Sequence, residues 1–140
     1  MHLVFVTAFL PTSQSASGRD LADRAVIDGL RRAGAKVTVL GYARPGAPLL
    51  DPDNSVSLGE IARLDGDASF SRDLRRLTAS LSGRMPLESA RLRVADDSRV
   101  EAALDGIGPF DALVLSGTEL AGAYEPVFDR HPALVVAHEA

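Results

Sequence analysis

Apolar and polar positions alternate in blocks along this chain, and the period changes from block to block. Leu3-Val4-Phe5-Val6-Thr7-Ala8 is a short apolar run without charge, the pattern of a strand buried on both faces as in parallel sheets. The run breaks at Phe9 into a small, polar, Gly/Pro-bearing stretch that reaches Gly18. A helical period follows, with Leu21, Ala25, Val26, Gly29, Leu30 and Ala33 on one face. Asp20, Asp23, Arg24, Asp28, Arg31 and Arg32 fill the rest, read as the solvated side, acidic early and basic late as the helix dipole favours. Ser17-Gly18-Arg19-Asp20 resembles a capping box, and Gly34 suits the left-handed position that ends helices. Lys36-Val37-Thr38-Val39-Leu40 is a second strand, so the opening is a βαβ unit with a right-handed crossover.

From Gly41 to Ser55 the prolines at 45, 48 and 52 predict a long loop. Leu58, Ile61 and Ala62 suggest a short helix, Leu74, Leu77 and Leu81 a longer one, and Met85 to Arg91 a further helical piece. A third strand is expected near Val56 or at Leu92–Val94. Regular order resumes at Ser98-Arg99-Val100-Glu101, a second capping-box match, with the helix stopped by Gly108-Pro109. Asp111–Ser116 is a strand, Gly117-Thr118-Glu119 opens a helix toward Phe128 that Pro126 bends or splits, and Pro132–His138 is a final strand. The order β-α-β…α-β-α-β predicts one α/β domain over 1–140, Rossmann-like with a mostly parallel sheet and strand order 3-2-1-4-5.

At 140 residues and 46% hydrophobic content the chain is one ordinary globular domain. No apolar run approaches the ~18 residues of a membrane span. His2 is not a basic leader and no cleavage site follows Leu3–Leu10, so no signal peptide is expected. With no cysteine there is neither a disulfide framework nor a thiolate metal site, and the expected location is cytoplasmic. A net charge of -4 disfavours nucleic acid as a partner. Lys36 is the only lysine among 15 basic residues, a bias expected of a GC-rich bacterial genome.

Candidate chemistry gathers at the loops that leave the carboxyl ends of the strands, where α/β domains bind ligands. Ser15, Ser17 and Gly18 precede the first helix, whose free amides and dipole favour an anion or sugar hydroxyls; the same residues also read as a cap and a solvated turn. The loop has neither the Gly-x-Gly-x-x-Gly of dinucleotide sites nor the Gly-Lys-Ser/Thr of a P-loop. Ser116, Gly117 and Thr118 form a second strand-to-helix turn facing the first across a crevice, or again a cap. His138 closes the last strand, placed to bind a hydroxyl or phosphate or to move a proton, or to serve as a structural hydrogen bonder. His2 and His131 read as surface residues, and the three histidines lack metal-ligand spacing. Arg72, Arg75 and Arg76 read as a solvated helix face.

The two ends of the chain resemble the N-terminal, acceptor-side domain of a GT-B glycosyltransferase of the large retaining group often called family four. The likeness rests on the strand Leu3–Ala8 with its loop to Gly18, on Arg31-Arg32-Ala33-Gly34-Ala35-Lys36-Val37-Thr38-Val39-Leu40, on Gly108-Pro109-Phe110-Asp111-Ala112-Leu113-Val114, and on Leu134-Val135-Val136-Ala137-His138. The stretch from about Gly41 to Arg93 matches weakly. The resemblance implies that Gly18 lies near donor phosphate and acceptor, and that His138 lies near the transferred sugar as the catalytic candidate. It implies a nucleotide-sugar donor and a hydroxyl acceptor. No metal site is visible in the sequence, and neither a metal nor a cofactor is expected for this domain. In the family a second domain grips the donor through a Glu-x7-Glu pattern. This chain stops at Ala140 before any such domain, so the expectation is half of a GT-B architecture, without turnover alone. Two other readings stand beside it: a stand-alone sugar- or phosphate-binding module, and an interaction partner of a separately encoded donor domain. A receiver-like signalling domain would gather acidic residues after its first strand, where Val6-Thr7-Ala8-Phe9 stands instead.

Overall fold

A computed structural model describes residues 1–13, 18–60 and 97–136. Among these, β1 (His2–Phe9), α1 (Gly18–Arg32), β2 (Lys36–Ala43), β3 (Ser55–Glu60), α2 (Asp97–Ile107), β4 (Ala112–Ser116), α3 (Thr118–Ala123), α4 (Glu125–Phe128) and β5 (Ala133–Val136) follow one another. The five strands form one sheet in the order β3-β2-β1-β4-β5, and every pairing is parallel. The expected α/β class, central first strand and strand order are therefore present.

Alternation along β1 divides the core. Val4, Val6 and Ala8 face α2, α3 and α4, where Leu40, Tyr42, Leu58, Val100, Leu104, Leu115, Tyr124 and Phe128 join them. Leu3 and Phe5 face α1 with Leu10, Ile27, Val37, Val39 and Val114. Both faces of β1 are thus covered, the condition for a charge-free strand. Gly34, at φ 98°, ends α1 as expected, and Gly108, at φ 88°, follows α2. The helix after β4 is split as expected, with Tyr124 between α3 and α4 and Pro126 in the first turn of α4.

Several expectations are corrected. β2 runs on through Gly41 and Tyr42 to Ala43, where proline spacing suggested loop. Gly41 makes this possible, because a Cβ there would stand 2.5 Å from the Thr7 carbonyl oxygen; only glycine lets the two backbones lie so close. Leu58 belongs to β3 rather than to a helix, and is buried in the core shared with α2. The proposed helix partners Ile61 and Ala62, the helices around Leu74–Leu81 and Met85–Arg91, the arginines 72, 75 and 76, and Leu92–Val94 lie outside the described residues. Asp97 and Ser98 are both helical, so Ser98 is not the cap residue. His2 is half-buried and holds structural bonds: its imidazole bridges the Pro109 carbonyl at 3.0 Å and the Thr38 hydroxyl at 2.8 Å, and its amide donates to Asp111 at 2.7 Å. His131 packs its ring against Phe110, 5.1 Å between centroids.

The largest correction concerns α1. Its buried residues are Asp20, Asp23 and Ile27, while Leu21 is 53% exposed and Ala25 and Gly29 face solvent. The inward face is therefore rotated from the one that hydropathy selects. Its C-terminal half still packs apolar residues, Val26, Ile27 and Leu30, on the sheet. Its N-terminal half lies over polar strand ends, and there carboxylates are the better-matched side chains.

Candidate functional site

The switch point of the sheet lies between β1 and β4, whose chains leave in opposite directions to β2 and to β5. Crevices outside the carboxyl ends of such strands are the usual ligand sites of open α/β sheets. The last rung on the α1 face consists of Gly41, Thr7 and Ser116, one from each of β2, β1 and β4. Val6 pairs with both Leu40 and Leu115, and just beyond it, where the β1–β2 register shifts, Thr7 lies against Gly41.

Asp23 sits on that rung. Its Oδ2 accepts from the Thr7 hydroxyl at 2.7 Å and its Oδ1 from the Ser116 hydroxyl at 2.6 Å. All three side chains are buried. A buried carboxylate is tolerated when it is hydrogen-bonded, and here a hydroxyl from each of two neighbouring strands donates to one of its oxygens. One residue of α1 thereby ties β1 to β4 at the switch point.

Two arginines flank this lock. Arg19, in the first turn of α1, donates from Nη2 to the Ser116 carbonyl at 2.9 Å. Arg44, just past β2, places its guanidinium 4.2 Å from the centroid of the Phe9 ring and meets buried Asp20 at 3.4 Å; stacking and pairing together fix its orientation. The chain leaving β1 is held as well. The Ser13 amide donates to the Pro48 carbonyl at 3.2 Å and the Leu50 amide to the Pro11 carbonyl at 3.0 Å, with Thr12 and Leu49 in an antiparallel bridge. Arg24 donates to the Thr12 carbonyl, and Arg31 pairs with Asp51 at 2.8 Å. Behind this clasp, Pro11, Ile27, Val39 and Leu50 line a small hollow.

Gly18 opens α1 exposed to solvent, with nothing within 4 Å of where a Cβ would stand. Ser116 and Gly117 lie across the switch point, within reach of the Arg19 side chain. The Ser116 hydroxyl is engaged by Asp23 and its carbonyl by Arg19. Gly117, at φ 96°, donates its amide to Val136 at 2.9 Å, and its carbonyl accepts from Ala121 at 3.3 Å. Thr118 opens α3. Ser15, Ser17 and His138 lie outside the described residues. Sequence reasoning missed Thr7, Arg19, Asp20, Asp23, Arg44 and Phe9. The available signal was a hydroxyl near the end of the apolar strand followed by carboxylates three residues apart at the helix start.

Among the described residues no cluster of three or more His, Asp or Glu side chains is placed to hold a metal ion, and no helix is long and apolar enough to cross a membrane. Comparison with models of known families, with curated proteins and with solved structures finds no match to this chain.

Proposed function

We propose that this chain supplies the acceptor side of a nucleotide-sugar-dependent glycosyltransferase, with the switch-point crevice as its half of the active site. The observation that carries the reading is Gly18: an exposed, uncrowded position at the start of α1, whose next residue, Arg19, reaches the Ser116 carbonyl at the end of β4, in a chain whose two termini resemble that enzyme group. The α1 N-terminus and the neighbouring arginines suit phosphate or hydroxyl-rich ligands. The buried Asp23 lock holds the two strand ends at a fixed spacing, which is the preorganisation that sugar positioning needs. In this reading His138 stands by the transferred sugar, Ser15 and Ser17 offer hydroxyls, and a donor-binding domain forms the opposite wall of the cleft. The 140-residue chain by itself then turns over negligibly.

The test is titration of the protein with UDP-glucose and with glucose 1-phosphate, followed by amide shifts near Gly18 and Gly117. Gly18→Trp and His138→Ala should each weaken binding at least about tenfold, a loss of about 1.4 kcal/mol, with unchanged melting temperature. Binding equal to the parent in both variants overturns the site. Robust sugar transfer by the purified chain alone overturns the half-enzyme reading.

A further inference from the structure

Three chain segments at the carboxyl edge of the sheet converge on one short stretch of α1. Asp20 meets Arg44, on the chain leaving β2, at 3.4 Å. Asp23 accepts from Thr7 near the end of β1 and from Ser116 at the end of β4. Arg19 donates to the Ser116 carbonyl at 2.9 Å, and Arg24 to the Thr12 carbonyl on the chain leaving β1. Four charged side chains in the first two turns thus hold the ends of β1, β2 and β4.

The rest of the helix is attached by other means. Val26, Ile27 and Leu30 pack into the apolar cluster of Leu3, Phe5, Val37, Val39 and Val114. The side chains that the first two turns bury are Asp20 and Asp23. The two attachments differ in what release costs. Drawing Val26, Ile27 and Leu30 off the sheet exposes apolar surface to water, at a cost that grows with its area. A carboxylate or guanidinium drawn off exchanges protein partners for water, so the net loss per bond is a fraction of its gross strength. Local propensity points the same way. Gly18, Asp20 and Asp23 rank low as helix formers, and the first turn has orphan amides and few intrahelical bonds to lose.

We propose that the first two turns of α1, Gly18 to Arg24, form a latch that unwinds and releases as a unit while Val26 to Arg32 stay docked. Closed, the latch covers the hydroxyls of Thr7 and Ser116, both buried with Asp23. Open, it uncovers those hydroxyls and frees the chains after β1, β2 and β4 together, at the sheet edge where α/β folds take ligands. Release is cooperative because the attachments share residues: Asp23 spans two strands, and Ser116 is held by Asp23 and by Arg19. Openings of this kind, below the free energy of global unfolding, supply the moving parts near binding sites. The closed form is the ground state, and the latch does not depend on glycosyl transfer.

The test is native-state amide exchange of the full chain, followed by NMR. The amides of Asp23, Arg24 and Ala25 take their helical acceptors from Arg19, Asp20 and Leu21, inside the latch, and those of Leu30 and Arg31 from Val26 and Ile27, outside it. The first group should exchange at least about tenfold faster than the second. Arg44→Gln removes a partner that release breaks, and should speed all three latch amides by one common factor, at least about threefold. Ser116→Ala, acting from β4, should do the same. Ile27→Val weakens the docked half, and should speed Leu30 and Arg31 at least about threefold while leaving the latch amides at the parent rate. Latch amides untouched by Arg44→Gln would mean ordinary fraying of a helix end, and overturn the proposal. So would an Ile27→Val variant in which both groups speed alike, because α1 then opens only as a whole. Arg44→Gln and Ile27→Val decide the matter by themselves should Ser116→Ala fail to fold.

Discussion

β1 and β5 are written in nearly the same language, charge-free and aliphatic, yet they occupy opposite environments. Every residue of β1 from Leu3 to Ala8 is buried, whereas Ala133, Leu134 and Val135 of β5 are exposed. Hydropathy specifies that a segment will extend and pair; it does not specify what lies above and below it. β1 is covered because α1 returns over one face and α2 to α4 over the other. In β5 only Val136 packs on the core. The difference shows that burial of a parallel strand is a property of its crossovers, and that an apolar strand beyond them is a surface.

Substitution at matched positions should separate the two strands most clearly. Phe5→Ala in β1 should destabilise the fold by about 3–5 kcal/mol, read as a lower denaturation midpoint in urea. Leu134→Ala, measured in dilute solution, should change it by less than ~0.5 kcal/mol; a loss of core size there would mean that β5 is covered after all. Between these extremes stands the polar end of β1. Asp23→Ala leaves the Thr7 and Ser116 hydroxyls buried without their acceptor, and should cost about 2–4 kcal/mol. Replacing both donors by apolar isosteres, Thr7→Val with Ser116→Ala, takes two donors from the carboxylate instead, and a double-mutant cycle should show strong coupling of each donor to Asp23. Additive effects would sink the lock. Tyr42→Phe, which removes one partner of the hydroxyl pair with Tyr124, should cost about 1 kcal/mol.

Much of the fold was legible because it is locally encoded. The run Leu3–Ala8, the glycines at 34 and 108, and the break at Pro126 each act within a few residues, and each reads directly from sequence. The face of α1 did not, because Asp20 and Asp23 owe their burial to Arg44, Thr7 and Ser116, partners that only the folded chain supplies. β2 outran its predicted end for a similar reason: Gly41 looks like a loop residue until Thr7 lies against it. Gly18 and the Ser116–Gly117 turn were read from sequence as following strands, and that is where they stand in the fold. The hydroxyl of Ser116, by contrast, looks from sequence like a group for a ligand and in the fold belongs to Asp23.

The Tyr42–Tyr124 pair has a practical consequence. The chain contains two tyrosines and no tryptophan, and those two rings are fully buried with their hydroxyls bonded to each other. Ultraviolet emission and most aromatic circular dichroism therefore arise from one spot, the junction of β2 with the helices after β4. Loss of that signal reports the parting of two segments 82 residues apart in sequence, so an unmodified sample carries its own optical gauge of tertiary structure, needing no label. A far-ultraviolet signal that outlasts it would identify a state with helices and strands but without the packed junction.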